Sequence, residues 1–366
     1  MASSSSLDDI LTVLERVPFL GGLRRDAGAL RRVLYLRRVP RILAIAPRGA
    51  GKTSALNTLL DRPALPLDAA LSHGAWIGVD AAGAKVDWLE LDPIDPQAPS
   101  MLRRAFDERA VDVVLFFASP SQVEGGLGDV LDATRRALAT LDARERPPFF
   151  AALAQADTAA KRGQPFGDAQ RMTIDLLRQR LARQLSEAGV AASDVFALSS
   201  ERADVDEPPY GARELSEAVV AAMPDEAMIE AARALHFARE GRTQVAQRVV
   251  QASGTLAVTV AVTPVPLSDM ALIAPLQAMM VTAVAYISGR PWDLRTASEW
   301  VASVGLVGGA GLGLRWTAQQ LVKLVPGAGS IVSASIAGAG TTALGKSAMA
   351  YFLGVPGNVP ALPQTA

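Results

Sequence analysis

The residues best suited to chemistry are Arg48-Gly49-Ala50-Gly51-Lys52-Thr53-Ser54. They lie between an apolar run, Ile42 to Ile45, and a helical pattern continuing to Leu60. A strand, a loop of small residues and a helix in that order form a phosphate-binding arrangement. Small side chains let backbone N–H groups close around phosphate oxygens, and the helix N-terminus adds its partial positive charge. Lys52 can reach the outer phosphates, and Thr53 can offer its hydroxyl to Mg2+. The usual first glycine of such a loop is Ala46 here. The spacing predicts a nucleotide-binding protein.

The elements that must position this loop alternate along the chain. Strand-type runs at Arg41–Ala46, Lys85–Leu91, Val111–Ala118, Phe149–Ala154 and Asp194–Leu198 are interleaved with helical patterns. The helical patterns lie at Thr53–Leu60, Asp129–Leu141, Asp168–Ala188 and Ala212–Met223. Ala75–Val79 and Lys85–Leu91 read as a hairpin turning at Asp80-Ala81-Ala82-Gly83. The pattern predicts an α/β fold, a P-loop NTPase with a mainly parallel sheet and flanking helices. Domain limits are expected at 39–224, preceded by a helical segment at 1–38. A hydrophobic all-α domain is expected at 225–355, with a disordered tail at 356–366. Pro224 and Asp225 mark the boundary.

Asp92 ends an apolar alternation and can hold magnesium with Thr53. At this point the chain resembles the Era-like branch of P-loop GTPases. That branch carries Asp-x-x-Gly where this chain reads Asp92-Pro93-Ile94-Asp95. A carboxylate at Asp95, replacing the glycine, would repel a γ-phosphate unless the loop swings away. The family's Asn-Lys-x-Asp corresponds to Ala154-Gln155-Ala156-Asp157, so the resemblance makes Gln155 and Asp157 base-site residues. Asp157 would accept hydrogen bonds from the guanine edge. Ser199-Ser200-Glu201 resembles the short loop that closes over the base, which implicates Ser199 and Ser200. Between Asp61 and Glu90 there is no threonine to complete a magnesium shell, and Pro96 follows Asp95 where a water-orienting residue would stand. No catalytic residue is therefore assigned. Slow GTP hydrolysis is expected, or binding without turnover, unless a partner or second subunit supplies a catalytic group. The degraded base motif also leaves an ATPase of related fold open.

Composition narrows the classes further. A net charge of −1 with 5% aromatic residues argues against nucleic acid as partner. There is no cysteine and only His73 and His236, so thiolate and histidine metal sites are not expected. The chain opens on serines and acids rather than a basic and then apolar stretch, and a cytoplasmic location is the expectation. From Arg24 to Arg41 seven arginines face one acid along an apolar stripe. Such a helix suits an anionic membrane surface, or packs beside the nucleotide-binding domain with its arginines in water.

In the C-terminal third charge nearly vanishes. From Ala252 to Gly289 only Asp269 and Tyr286 are ionisable, and from Leu324 to Gly345 nothing is charged. Runs of this length can span a bilayer or lie within it, and basic flanks at both ends predict a hairpin of helices. The other reading is a bundle core, to which Val301–Leu314 fits. Thr263-Pro264-Val265-Pro266, Lys323–Gly329 and Thr342–Gly345 resemble a bacterial domain of unknown function fused behind an Era-like GTPase domain. The resemblance implies GTP and GDP as ligands, Mg2+ as cofactor, and membrane lipid at the inner face of the cell membrane. A homo-oligomer or an activating partner is compatible with it. The other class of reading is a pseudo-GTPase acting as a membrane scaffold.

Overall fold

A computed structural model describes residues 12, 21–65, 74–81, 83–141, 146–159, 166–199, 209–262, 269–293, 300 and 330–354. The chain divides into two units. One comprises Val39–Pro224 with Glu230–Gly241, and the other Met1–Arg38, Asp225–Ile229 and Arg242–Ala366.

The first unit is a six-stranded sheet. Its strands are β1 (Arg41–Ile45), β2 (Ile77–Ala81), β3 (Ala84–Leu91), β4 (Val113–Ala118), β5 (Phe149–Leu153) and β6 (Asp194–Ala197). Their order is β2-β3-β1-β4-β5-β6, with every pairing parallel except β2–β3. Sequence explains the difference. The continuous apolar runs of β4 and β5 are buried throughout, as a sheet covered on both faces requires. The edge strand β2 alternates buried and exposed residues instead.

The intervening helices are α2 (Lys52–Leu60), α3 (Ala98–Glu108), α4 (Pro120–Gly125), α5 (Gly128–Leu138), α6 (Asp168–Glu187) and α7 (Ala212–Ala222). Leu102, Leu131, Ile174, Leu177 and Leu181 of α3, α5 and α6 form one core with Leu43, Ile45, Leu91, Phe116 and Leu153 of the sheet. The alternate strand residues Ile42, Trp88 and Phe117 are buried as well. Each such burial contributes about 1.5–3 kcal/mol.

Several expectations shift. The hairpin turn is tighter than Asp80–Gly83, because Ala81 pairs with Ala84 and Gly83 turns at φ +84°. Soon after Asp95 the chain enters α3, which begins at Ala98 with Pro99 in its first turn, where a missing N–H removes no helical hydrogen bond. The start of the expected all-α domain is two helices, α8 (Met228–Ala234) and α9 (Arg239–Val262). Between the two, the His236 N–H donates to the Leu59 carbonyl at 3.0 Å, an acceptor outside either helix.

The second unit contains α1 (Gly21–Leu34), most of α9, α10 (Asp269–Ile287) and α11 (Ser330–Leu353). The basic segment belongs to the same unit as the C-terminal helices: Ala27, Leu30, Val33 and Leu34 of α1 are buried, and Arg32 pairs with Asp225 at 3.4 Å. The small residues of α9 and α11 allow close approach. A Cβ at Gly254 would overlap Thr342, and one at Gly345 would overlap Val250. Gln277 of α10 donates to Thr341 Oγ1 at 3.0 Å in a buried setting.

Among the described residues no helix is long and apolar enough to cross a membrane. The run Ala252–Gly289 is shared between α9 and α10, and α10 carries Pro275 and Gln277. Residues 1–20 of the predicted helical segment 1–38, Thr12 apart, and the segment Val301–Leu314 lie outside the described residues.

Arg37 stacks over Trp292, with its guanidinium carbon 3.6 Å from the ring centroid, and lies 5.0 Å from that of Tyr286. Replacing Trp292 by Leu is expected to lower stability by about 1 kcal/mol through the lost cation–π contact. Chemical denaturation reads this directly, and an unmoved midpoint would show the stacking to be energetically idle.

Candidate functional site

The loop between β1 and α2 is built by two glycines that supply positive φ, Gly49 at +76° and Gly51 at +89°. Gly51 precedes α2 directly, so the helix starts at Lys52. The first-turn N–H groups of Lys52, Thr53 and Ser54 have no acceptor within the helix. Ala50 is fully buried, and Ser54 is half-buried.

Three side chains hold the loop's carbonyls. Lys52 Nζ donates to Ala46 O at 3.0 Å, Gln122 Nε2 to Arg48 O at 3.0 Å, and Gln155 Nε2 to Gly49 O at 2.7 Å. Carbonyls fixed in this way leave a concave loop rich in N–H groups, the kind of nest that binds anions. Gln122 had not been singled out in the sequence. It belongs to a capping box that starts α4, in which Ser119 N donates to Gln122 Oε1 at 2.9 Å, and that box sets its reach. A serine-proline pair with glutamine three residues after the serine, directly following an apolar strand, was the available signal.

Lys52 is 7% exposed. Burial pulls its pKa below the ordinary lysine value, opposed by the charges of Glu90 and then Asp92, while Arg48 adds to the lowering. Asp92 itself uses Oδ1 to accept from Ile94 N at 3.1 Å, and its Oδ2 lies 3.7 Å from Arg48 Nε. Arg48 is otherwise largely in solvent, its side chain 84% exposed, so the pair contributes about 0–1 kcal/mol. The Thr53 hydroxyl donates to Glu90 Oε1 at 3.0 Å, and Asp92 follows directly after the end of the same strand. Asp95 turns its carboxylate onto the start of α3, where Oδ1 accepts from Gln97 N at 2.8 Å.

At the end of β5, Gln155 takes φ +56°, a conformation that bulky residues seldom adopt. Its side chain packs over Gly51, whose added Cβ would come within 3.2 Å of Gln155 Nε2. Two residues on, Asp157 sits in a short 3-10 helix, Ala156–Ala159, with a buried Oδ1 that has no hydrogen-bond partner among the described residues. Ser199 is buried, and its Oγ accepts from Tyr210 N at 2.9 Å, so its hydroxyl is engaged within the protein. Ser200 lies outside the described residues. A separate cleft of about 890 Å³ runs along β6, lined in part by Phe166, Phe196, Tyr210 and Phe237, and none of the phosphate-loop residues borders it.

Substituting Gln155 by Ala removes one tie on the loop. Nucleotide affinity is expected to fall roughly five- to tenfold, the worth of one hydrogen bond of about 1 kcal/mol. Calorimetric titration checks this, and unchanged affinity would mean that the loop needs no such support.

Fold and site together define a mainly parallel α/β sheet with a glycine-rich loop between its central strand and the following helix. Residues 226–360 match a family model described as a domain of unknown function, DUF697. Magnetosome membrane protein 22 of Magnetospirillum gryphiswaldense is 34% identical over 113 residues, or 29% of this chain, which spans only 56% of that protein's length. Among solved structures, Toc33 from Arabidopsis thaliana in complex with GDP and Mg2+ is 12% identical. That match covers 54% of this chain and 91% of Toc33, with a TM-score of 0.39. A GTP-binding protein from Sulfolobus solfataricus in complex with GDP is also 12% identical. It covers 53% of this chain and 60% of its own, with a TM-score of 0.30.

Proposed function

We propose that this chain binds a guanine nucleotide with Mg2+ at the β1–α2 loop. The phosphates are held by the amides of Gly49 to Ser54 and by Lys52, and the base is read by Asp157. The observation that carries this is the pairing of roles in one tetrapeptide. Gln155 grips the phosphate loop, while Asp157, two residues later, keeps a buried oxygen without a partner. A carboxylate oxygen held out of water in this way suits the adjacent N–H donors of guanine, which adenine does not offer. The Thr53 hydroxyl and the carboxylate of Asp92 are hard oxygen donors of the kind that suits Mg2+. When bound, that ion would neutralise phosphate charge.

Calorimetry with GTP, GDP and ATP, each with Mg2+, tests the reading. Heat with the guanine nucleotides and none with ATP supports it. A preference for ATP, or no heat at all, overturns it. A second reading, binding without turnover, is favoured by Asp95 and by the lack of any threonine from Asp61 to Glu90. Phosphate release over hours from the GTP-bound protein separates slow hydrolysis from none.

We further propose that nucleotide state governs the association of the C-terminal helical region with lipid. The apolar runs there support this, as does the word membrane in the name of its magnetosome relative. Flotation with anionic vesicles in GTP and GDP tests the association. Protein that stays unbound in both states removes the lipid from the reading.

A further inference from the structure

Glu90 is a buried charge beside the β1–α2 loop. It lies near the C-terminal end of β3, 5% exposed, where neighbouring strand residues Leu89 and Leu91 are fully buried. An isolated carboxylate in such a place costs several kcal/mol unless it is hydrogen-bonded and paired. Its Oε1 accepts from Trp88 Nε1 at 3.1 Å as well as from Thr53 Oγ1 at 3.0 Å. Lys52, also buried, feels its negative charge more than that of Asp92. Two-residue periodicity puts Trp88 and Glu90 on one side of β3, and the register Ala44↔Glu90 sets Glu90 beside the strand that leads into the loop.

We infer that Glu90, rather than Asp92, is the carboxylate that prepares Thr53 for a divalent cation. This inference rests on the guanine-nucleotide reading and names the residue that positions its metal. A threonine hydroxyl has one proton and two lone pairs. With the proton committed to Glu90 Oε1, the lone pairs of Thr53 Oγ1 are left for the cation, and the anionic acceptor makes that oxygen a better ligand. Groups that orient and charge a metal ligand in this way typically change metal affinity by roughly 10–100-fold. Asp92 is spent differently, on Ile94 N and Arg48. Glu90 touches neither phosphate nor base and is a positioning residue. The plainer role, accepting the indole N–H of Trp88, is one that glutamine would perform equally well.

The experiment measures the affinity of the full chain for a fluorescent GDP analogue with Mg2+ and again with the ion chelated. The gain due to magnesium is the quantity compared among variants. Wild type is expected to show a clear gain. In Glu90→Gln the gain falls roughly 10–100-fold, while the affinity without magnesium holds or rises, because a negative charge near the phosphates has been removed. Trp88→Phe, which removes only the other donor, keeps the wild-type gain. An undiminished gain in Glu90→Gln, with the loss appearing in Asp92→Asn instead, overturns the inference while leaving the nucleotide reading intact. Wild type that binds no guanine nucleotide in either condition overturns the nucleotide reading and this inference with it. Should Glu90→Gln fail to fold, Glu90→Asp serves. Its shorter reach should also cut the gain, and a full gain there counts against the inference.

Discussion

Replacing Lys52 by Met is expected to lower affinity for GTP roughly 100-fold while leaving the protein folded. Charge-assisted hydrogen bonds of the kind a lysine makes to phosphate are each worth about 1.5–3 kcal/mol, and tenfold in affinity corresponds to about 1.4 kcal/mol. Folding does not suffer in step, because the ammonium is buried and its charged form is disfavoured there. Methionine loses the hydrogen bond to Ala46 O, worth about 1 kcal/mol, and is relieved of the desolvation.

The pH dependence follows in sign. Phosphate binds the protonated amine, and burial lowers the pKa of Lys52 in the empty protein. Wild-type affinity therefore declines as pH rises toward that lowered value, and the Met variant lacks this dependence. Titration calorimetry at two pH values, with thermal melts alongside, reads both. Undiminished affinity in a folded variant would remove the β1–α2 loop from the site.

Asp157→Asn is expected to change which base is read. Guanine presents N1–H and its amino group as donors, and a carboxylate can accept from both. An amide can accept only through its oxygen and presents a donor to the other position. GTP affinity should fall by about 2–3 kcal/mol, roughly 30–100-fold, in keeping with loss of hydrogen bonds to a charged group. Xanthosine triphosphate carries a carbonyl in place of the amino group and should gain correspondingly. Stability is untouched, since Asp157 Oδ1 has no hydrogen-bond partner among the described residues to lose. Competition of the three nucleotides against a fluorescent analogue measures the switch. Equal losses for GTP and ATP with no gain for the xanthosine form would place Asp157 outside the base site.

What the sequence by itself determined is local. Gly49 and Gly51 occur at the spacing that permits positive φ on either side of Ala50, and a lysine opens the helix, so the phosphate loop could be read from a few adjacent residues. Strands such as Val113–Ala118 and Phe149–Leu153 were legible because a sheet covered on both faces demands unbroken apolar runs. The tertiary structure decided which distant groups meet at that loop. Glu90 lies in β3 and Asp92 directly after its end, and the sequence favours Asp92 because it closes the apolar alternation. Only packing between β3 and α2 gives the Thr53 proton to Glu90. Gln122 and Gln155 reach the loop from just beyond β4 and β5; a capping box sets the reach of Gln122, but only the order β1-β4-β5 in the sheet brings either residue to the loop.

The same holds for the helices. The apolar stripe of α1 says that it must be covered, but burial against the sheet or against other helices satisfies it equally, and the fold groups it with the C-terminal helices. The long apolar run Ala252–Gly289 met the length condition for a bilayer. Its division between α9 and α10 depends on where the chain reverses, and composition does not encode that point. Periodicity and glycine placement act through neighbours along the chain and can be read there. Partners brought together by register and helix docking exist only once the sheet has formed.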